Sequence, residues 1–474
     1  MISKGVSTRK KLSAFLFLSI ICLGSQAQEL ITYPAPAAVL YTQHNDDYTV
    51  KVRKPGGEWQ DLFEYNVKVD MDKPQDASMV YFDFSGSVEV AVGKNNGSFQ
   101  SVKVRPGSYD IKTTVKGNTV VFSLDKPRKV SVEFDGDKLH NLHVFGNPVE
   151  KNKPDPKDPN VVYFGPGVHQ PKDLPGDEFN IPSGKTVYIA GGAVVRAKFV
   201  CDGVNNVRII GRGILDHPIR GVEIRHSDRV EVDGIIVVNP KHYTIYGGGS
   251  KNITIRNLKS FSVNGWSDGI DLMSCSDVTI DDVFMRNSDD CIAIYGHRWD
   301  FYGDARSYNV TNSVLWADIA HPIYIGLHGN TETEGDVIEN LNFKNIDILE
   351  QDEDDPNYQG CIAISAGDFN YVKNITFEDI RIGDFQEGTL FNLRVVQNAK
   401  YNTGPGKGIE NILFKNINYT GSNLNPSVIS GFDSTHAIKN IRFQNLKING
   451  KLILDADSGN IKTGNYATDV VFSK

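Results

Sequence analysis

Three carboxylates in two short stretches carry the chemistry this sequence could do. Asp289 and Asp290 stand side by side in "RNSDDCIAIYG" (286–296), and Asp268, in "NGWSDGIDL" (264–272), precedes them by 21 and 22 residues. Neighbouring residues of a strand point to opposite faces and like charges repel, so the adjacent pair needs a reason. Glycoside hydrolysis supplies one. A protonated carboxyl assists the leaving oxygen while a second carboxylate activates water or attacks the sugar. Clustered acids raise one another's pKa, which keeps one of them protonated near neutral pH. Two other readings stay open: three carboxylates can hold calcium, and Asp residues often do no more than form turns. The surroundings favour a sugar. "YGHRWD" (295–300) sets Tyr295, His297, Arg298 and Trp299 directly after the acids, and Trp266 lies just before Asp268. Aromatic rings and a guanidinium at a coil edge suit a sugar subsite, as they would also suit a loop packed on its neighbour. Further on, "AHPIYIGLHGN" (320–330) adds His321 as a fourth catalytic candidate, with Tyr324 and His328 as substrate contacts. No metal site or cofactor is expected.

The residues that must position this cluster belong to an imperfect repeat. From about residue 200 one phrase returns nine times, among them "NNVRIIGRGILD" (205–216), "SKNITIRNLKSFSV" (250–263), "CSDVTIDDVFMRN" (275–287) and "VKNITFEDIRI" (372–382). Taking the first apolar residue of each as Val207, Val230, Ile253, Val278, Val310, Leu341, Ile375, Ile412 and Ile441, the intervals run from 23 to 37 residues. Each phrase alternates apolar and polar positions, rich in β-branched residues, with Asn or Asp at the turn; that is a half-buried strand. Near-regular coils without helical periodicity predict an all-β fold, a right-handed parallel β-helix. A propeller blade needs about 40–45 residues, more than the first intervals allow. In such a solenoid, positions one coil apart stack, so Asp268 and the Asp289/Asp290 pair form one cluster.

Before the repeat, alternating runs such as "SMVYFDFSGSVEVAVG" (78–93) separated by Gly, Pro, Asn and Asp turns predict an antiparallel β-sandwich. The boundaries are then 1–27 for a targeting segment, 28–150 for the sandwich and 151–474 for the β-helix, joined through the Pro- and Lys-rich "NPVEKNKPDPKDPN" (147–160). Residues 1–27 read as a secretory signal peptide with cleavage near Ala27: Lys4, Arg9, Lys10 and Lys11 precede a short apolar run. The protein is therefore expected to be secreted or periplasmic. Loss of those four cations moves the formal charge from −8 to −12, and no basic stripe remains. Nucleic acid and membrane insertion are excluded as partners, leaving a polysaccharide or oligosaccharide. Four cysteines outside that segment are too few for a disulfide framework; buried thiols are expected, with a Cys275–Cys291 bridge left open.

The order W-S-D-G-I-D, S-D-D-C-I-A-I and A-H-P-I-Y-I-G resembles the polygalacturonase family of pectin hydrolases, which carry N-T-D, D-D-C and G-H-G on a parallel β-helix. The sandwich, "VVYFGPGVH" and "GKTVYIAGGAVV" also resemble the related dextranase and isopullulanase family. The resemblance implies an inverting hydrolase in which Asp289 is the general acid and Asp268 and Asp290 share the base role. It also shows departures. Trp266-Ser267 stands where Asn-Thr is usual, and Ala320-His321-Pro322 replaces Gly-His-Gly. The Arg-Ile-Lys motif that holds the substrate carboxylate has no counterpart; Arg381 and Arg394 are the nearest arginines. A pectic uronate and a neutral glucan both remain as substrates, with a non-catalytic carbohydrate-binding solenoid as the third alternative.

Overall fold

Each repeat phrase buries its alternate residues, and stacking the phrases turns those residues into continuous internal columns. The computed structural model describes residues 1, 2, 5, 28–171, 177–422 and 424–474; all but three residues of the segment read as a signal peptide lie outside them. The repeat forms a parallel β-helix of two sheets, one of 21 strands and one of 11. Each typical coil gives two strands to the first sheet and one to the second. Val207, Val230, Ile253 and Val278 pair in one column as the repeat predicts. The next member differs: Val278 pairs with Tyr308, two residues before Val310, and Tyr308 with Leu341. A shift of two keeps the same face inward, so the sequence pattern tolerates either register. The buried Tyr308 ring fills the column. "VVYF" and "KTVYI" open the helix as expected, through the parallel pairing of Val161–Phe164 with Thr186–Ile189.

The recurrent Asn works at the corners. Asn312, Asn345, Asn416 and Asn445 adopt φ of 54° to 57°, a left-handed conformation that Asn tolerates better than other side chains. Stacked Asn side chains then bond to one another, as in Asn345 Nδ2 to Asn312 Oδ1 (2.7 Å) and Asn445 Nδ2 to Asn416 Oδ1 (2.9 Å). Inside the C-terminal coils Phe343, Phe377, Phe414, Phe443 and Phe472 stack with centroids 4.8–5.1 Å apart. Phe414 is fully buried between two rings. Phe414→Ala is expected to cost about 3–5 kcal/mol, read by urea unfolding; a loss under about 1 kcal/mol would mean that the coils close over the gap.

Residues from 30 to 148 form a sandwich of a six-stranded and a five-stranded sheet around Val50, Phe82, Val90, Phe122 and Val144. One pairing departs from the antiparallel expectation: Gln75–Phe84 runs parallel to Leu142–Pro148. The chain between them crosses to the second sheet and back, which is what a parallel pair requires. The sandwich packs on the outside of the 21-stranded sheet, where Phe145 meets Phe261, Phe284 and Trp316. The 11-stranded face stays open. All four described cysteines are buried free thiols, Cys275 and Cys291 included. Among the described residues no helix is long and apolar enough to cross a membrane.

Candidate active site

Asp289 and Asp290 occupy the corner between the strand Phe284–Ser288 and the strand Ile292–Tyr295, where the chain turns onto the open sheet, and Asp268 occupies the same corner one coil earlier, before the strand Ile270–Met273. Register decides which acids stack. Ile270 pairs with Ile292, and Ile292 with Ile323, so Asp268, Asp290 and His321 form one column on three successive coils. Backbone bonds between coils hold it: Gly269 N–H to the Asp290 carbonyl (2.8 Å) and Cys291 N–H to the His321 carbonyl (2.8 Å). Asp289 lies outside the column and less buried. The adjacent acids thus face different partners. Each of Asp268, Asp289 and Asp290 offers an oxygen within 4.8 Å of the others'.

Their environments push them apart. His321 Nδ1 donates to Asp290 Oδ1 (2.6 Å), its backbone N–H donates to the same oxygen (3.2 Å), and Nε2 bonds the Tyr358 carbonyl. Burial opposes charge on His321, but Asp290 prevails and pushes it up to about 9. Asp290 therefore has an imidazolium counter-ion. Asp289 is pushed up to about 7, first by burial and then by the Asp290 charge; N–H groups of Asp290 and Trp266 pull the other way. Those N–H groups bond its oxygens at 3.0 and 3.1 Å. Asp268 rises well above the carboxylate range, by burial and then by Asp271, Asp289 and Asp290.

A cavity of about 230 Å³ covers the cluster. Nine of the eleven residues singled out from sequence line it: Asp268, Asp289, Asp290, His321, Trp266, Tyr295, Arg298, Tyr324 and His328. Trp266 is 71% exposed at φ 56°, a strained conformation for a bulky residue that holds its ring at the cavity mouth. Tyr324 stacks flat on His321 at 4.4 Å. Burial, then the Arg298 charge, lowers His328 to about 3, so it is a neutral imidazole.

His297 and Trp299, expected as sugar contacts, do not line this cavity. His297 Nδ1 bonds the Phe301 carbonyl (2.7 Å) and its N–H donates to Asp336 (3.1 Å). Trp299 packs on Tyr246 at 5.5 Å and under the Arg298 guanidinium at 4.3 Å. Both brace the loop 296–304, which folds back over the preceding coils: a Cβ on Gly248 would meet the Phe301 ring at 2.2 Å. Sequence reasoning also missed lining residues Tyr243, Glu353, Asp355, Tyr358, Lys400 and Tyr401. Most sit on irregular loops with no periodic signal. Asp271 was legible in "SDGID" as an outward strand position three residues after Asp268. It is 0% exposed with neither oxygen hydrogen-bonded, and Arg298 lies 3.7 Å away.

A β-helix with a buried carboxylate cluster, one acid protonated near neutrality and another locked to an imidazolium, defines a glycoside hydrolase site. The sequence profile of Glycosyl hydrolases family 28 matches residues 197–465, more than half of the chain, and the chain belongs to that family. It is 24% identical over 206 residues to exopolygalacturonase B of Aspergillus niger, covering 40% of this chain and 44% of that one. It is 26% identical over 208 residues to an exopolygalacturonase of Arabidopsis thaliana, covering 43% and 44%. The match thus spans less than half the length of these relatives. Among solved structures, Dex49A from Penicillium minioluteum superposes with a TM-score of 0.67 at 16% identity, over 93% of this chain and 96% of that one. A family 28 exopolygalacturonase from Yersinia enterocolitica gives 0.51 at 11% identity, over 87% and 95%. These two likenesses concern the fold alone.

Proposed function

We propose that this protein is an exported hydrolase that cleaves a pectic polymer from a chain end with inversion at the anomeric carbon. The observation that carries the reading is the division of labour between adjacent acids. Asp289 holds a proton near neutral pH and faces the cavity, as a general acid must. Asp290 is paired to His321 and acts as base. Asp268 and Asp290 offer oxygens within 4.8 Å of each other, and a water bonded to two oxygens at about 2.8 Å each needs them no more than about 5.6 Å apart. Asp290 takes the proton from that water as it attacks, and Asp268 holds the water from the other side. Asp289 gives its proton to the departing glycosidic oxygen, and the next water exchange restores both.

Arg298 and Lys400 in the cavity wall offer the positive charge a uronate needs. The folded-back loop 296–304 closes the N-terminal side of the groove, which favours action at a chain end. A neutral glucan is the second reading, favoured by the exposed Trp266 ring at the cavity mouth.

Reducing-sugar release from polygalacturonate, rhamnogalacturonan, dextran, pullulan and arabinan, with chelator present, decides between them. The expected result is release from a galacturonate polymer, as monomer or dimer, with the first product of inverted configuration by NMR. Retention would remove the proposed mechanism, and release from a glucan alone would select the second reading. Release from none would leave a binding solenoid.

A further inference from the structure

The open sheet continues past the catalytic coil, and a second cavity of about 490 Å³ lies along it. Pairing of Ile294 with Ile325, Gly326 with Ser365 and Ser365 with Arg394 carries one outward-facing column from Tyr295 to Arg394. That is three coils, about 14 Å at the usual strand spacing. The two cavities share Tyr358 as a wall, the residue whose carbonyl bonds His321. Asn398 Nδ2 donates to the Tyr358 hydroxyl (2.5 Å), which fixes that wall.

Arg394 is unlike the arginines around it. Arg381 has its fork filled by both oxygens of Asp347 at 2.8 Å. Arg394 donates only to neutral oxygens, Asn392 Oδ1 (2.9 Å), Asn357 Oδ1 (3.3 Å) and the Pro356 carbonyl (3.4 Å). Among the described residues no carboxylate reaches it at ion-pair distance. Burial disfavours its charge and the field of Asp355, its nearest acidic influence, offsets this only in part, so a bound anion would relieve a standing cost. Beside it Phe432 keeps its ring 44% exposed. An unneutralised guanidinium next to a bare ring suits a sugar that carries a carboxylate on one edge and C–H groups on one face.

We propose that the cavity between Tyr358, Arg394 and Phe432 is a distal subsite for a uronic-acid residue of the chain whose end is cleaved at Asp289. It rests on the pectic reading above and adds to it that recognition extends three coils beyond the scissile bond, on the side the loop 296–304 leaves open.

Kinetics of Arg394→Gln and Phe432→Ala on galacturonate oligomers of two and six units test this. The expected result is a KM for the hexamer raised about tenfold or more by Arg394→Gln, the scale of a lost charge-assisted bond. KM for the dimer, which cannot reach the subsite, and kcat for both should stay at wild-type values. Phe432→Ala, a surface change, should shift the hexamer alone by a smaller factor. Equal KM shifts on dimer and hexamer, or no shift on the hexamer, would overturn the subsite while leaving the pectic reading intact. Failure of the wild type to cleave either oligomer would overturn that reading and the subsite with it.

Discussion

Asp289→Asn is expected to lower kcat by about 10²–10⁴-fold, the range a positioned general acid supplies, while KM stays near wild type. Asparagine keeps the shape and its one oxygen can accept either the Trp266 or the Asp290 N–H, which reach different oxygens of Asp289, so the variant removes the proton at the cost of one of these bonds. The pH dependence gives a second reading of the same group. Asp289 must be protonated to act and is pushed up to about 7, so kcat should fall about tenfold per unit well above that pH. His321, raised to about 9, stays charged across that range and adds no limb there. In the mutant the residual rate should lose the alkaline limb near 7. Stopped assays of kcat against pH for both proteins check this. A mutant within tenfold of wild type, or one that keeps the limb, would move the acid role to Asp268.

Much of this site was legible because period-2 strands and stacked coils make spacing equivalent to proximity. Asp268 and the pair at 289–290 could be joined on a one-coil interval, and the structure adds that Asp290, not Asp289, is the stacked partner. His321 was legible only through its phrase, Ala320-His321-Pro322 in place of Gly-His-Gly, and the structure places it one coil beyond Asp290. What could not be read lies where period fails. Lys400, Tyr401 and Tyr358 come from loops between strands, whose path depends on packing rather than alternation. His297 and Trp299 had the right types beside the right strand, yet the loop turns them back toward earlier coils. The parallel strand in the sandwich was hidden because its partner lies more than fifty residues away.

Arg286, three residues before the acids, should be among the costliest single losses to stability. Its guanidinium lies fully buried where the sandwich meets the solenoid. Nε and Nη2 bond the two Asp318 oxygens at 2.9 and 3.0 Å, Nη1 bonds Asn141 Oδ1 (2.8 Å) and Nη2 the Lys138 carbonyl (2.8 Å). The Trp316 ring lies 4.1 Å away. Burial already raises the Asp318 pKa despite this partner. Arg286→Met keeps the stem but strands the Asp318 carboxylate in the interior, at a cost of about 3–5 kcal/mol. Pairing it with Asp318→Asn removes the orphaned charge and should restore a large part of the loss, a coupling that two independent sites would not show. The sandwich loop is tied to the same strand: Met71 N–H donates to Ser288 Oγ (3.0 Å) and Asp70 N–H to Asp318 (3.2 Å). Urea unfolding followed by fluorescence should therefore show one transition in wild type, and in Arg286→Met one at lower urea. A single mutant as stable as wild type, or a double mutant showing the plain sum of two losses, would mean the buried pair is not what joins the two parts beneath the catalytic corner.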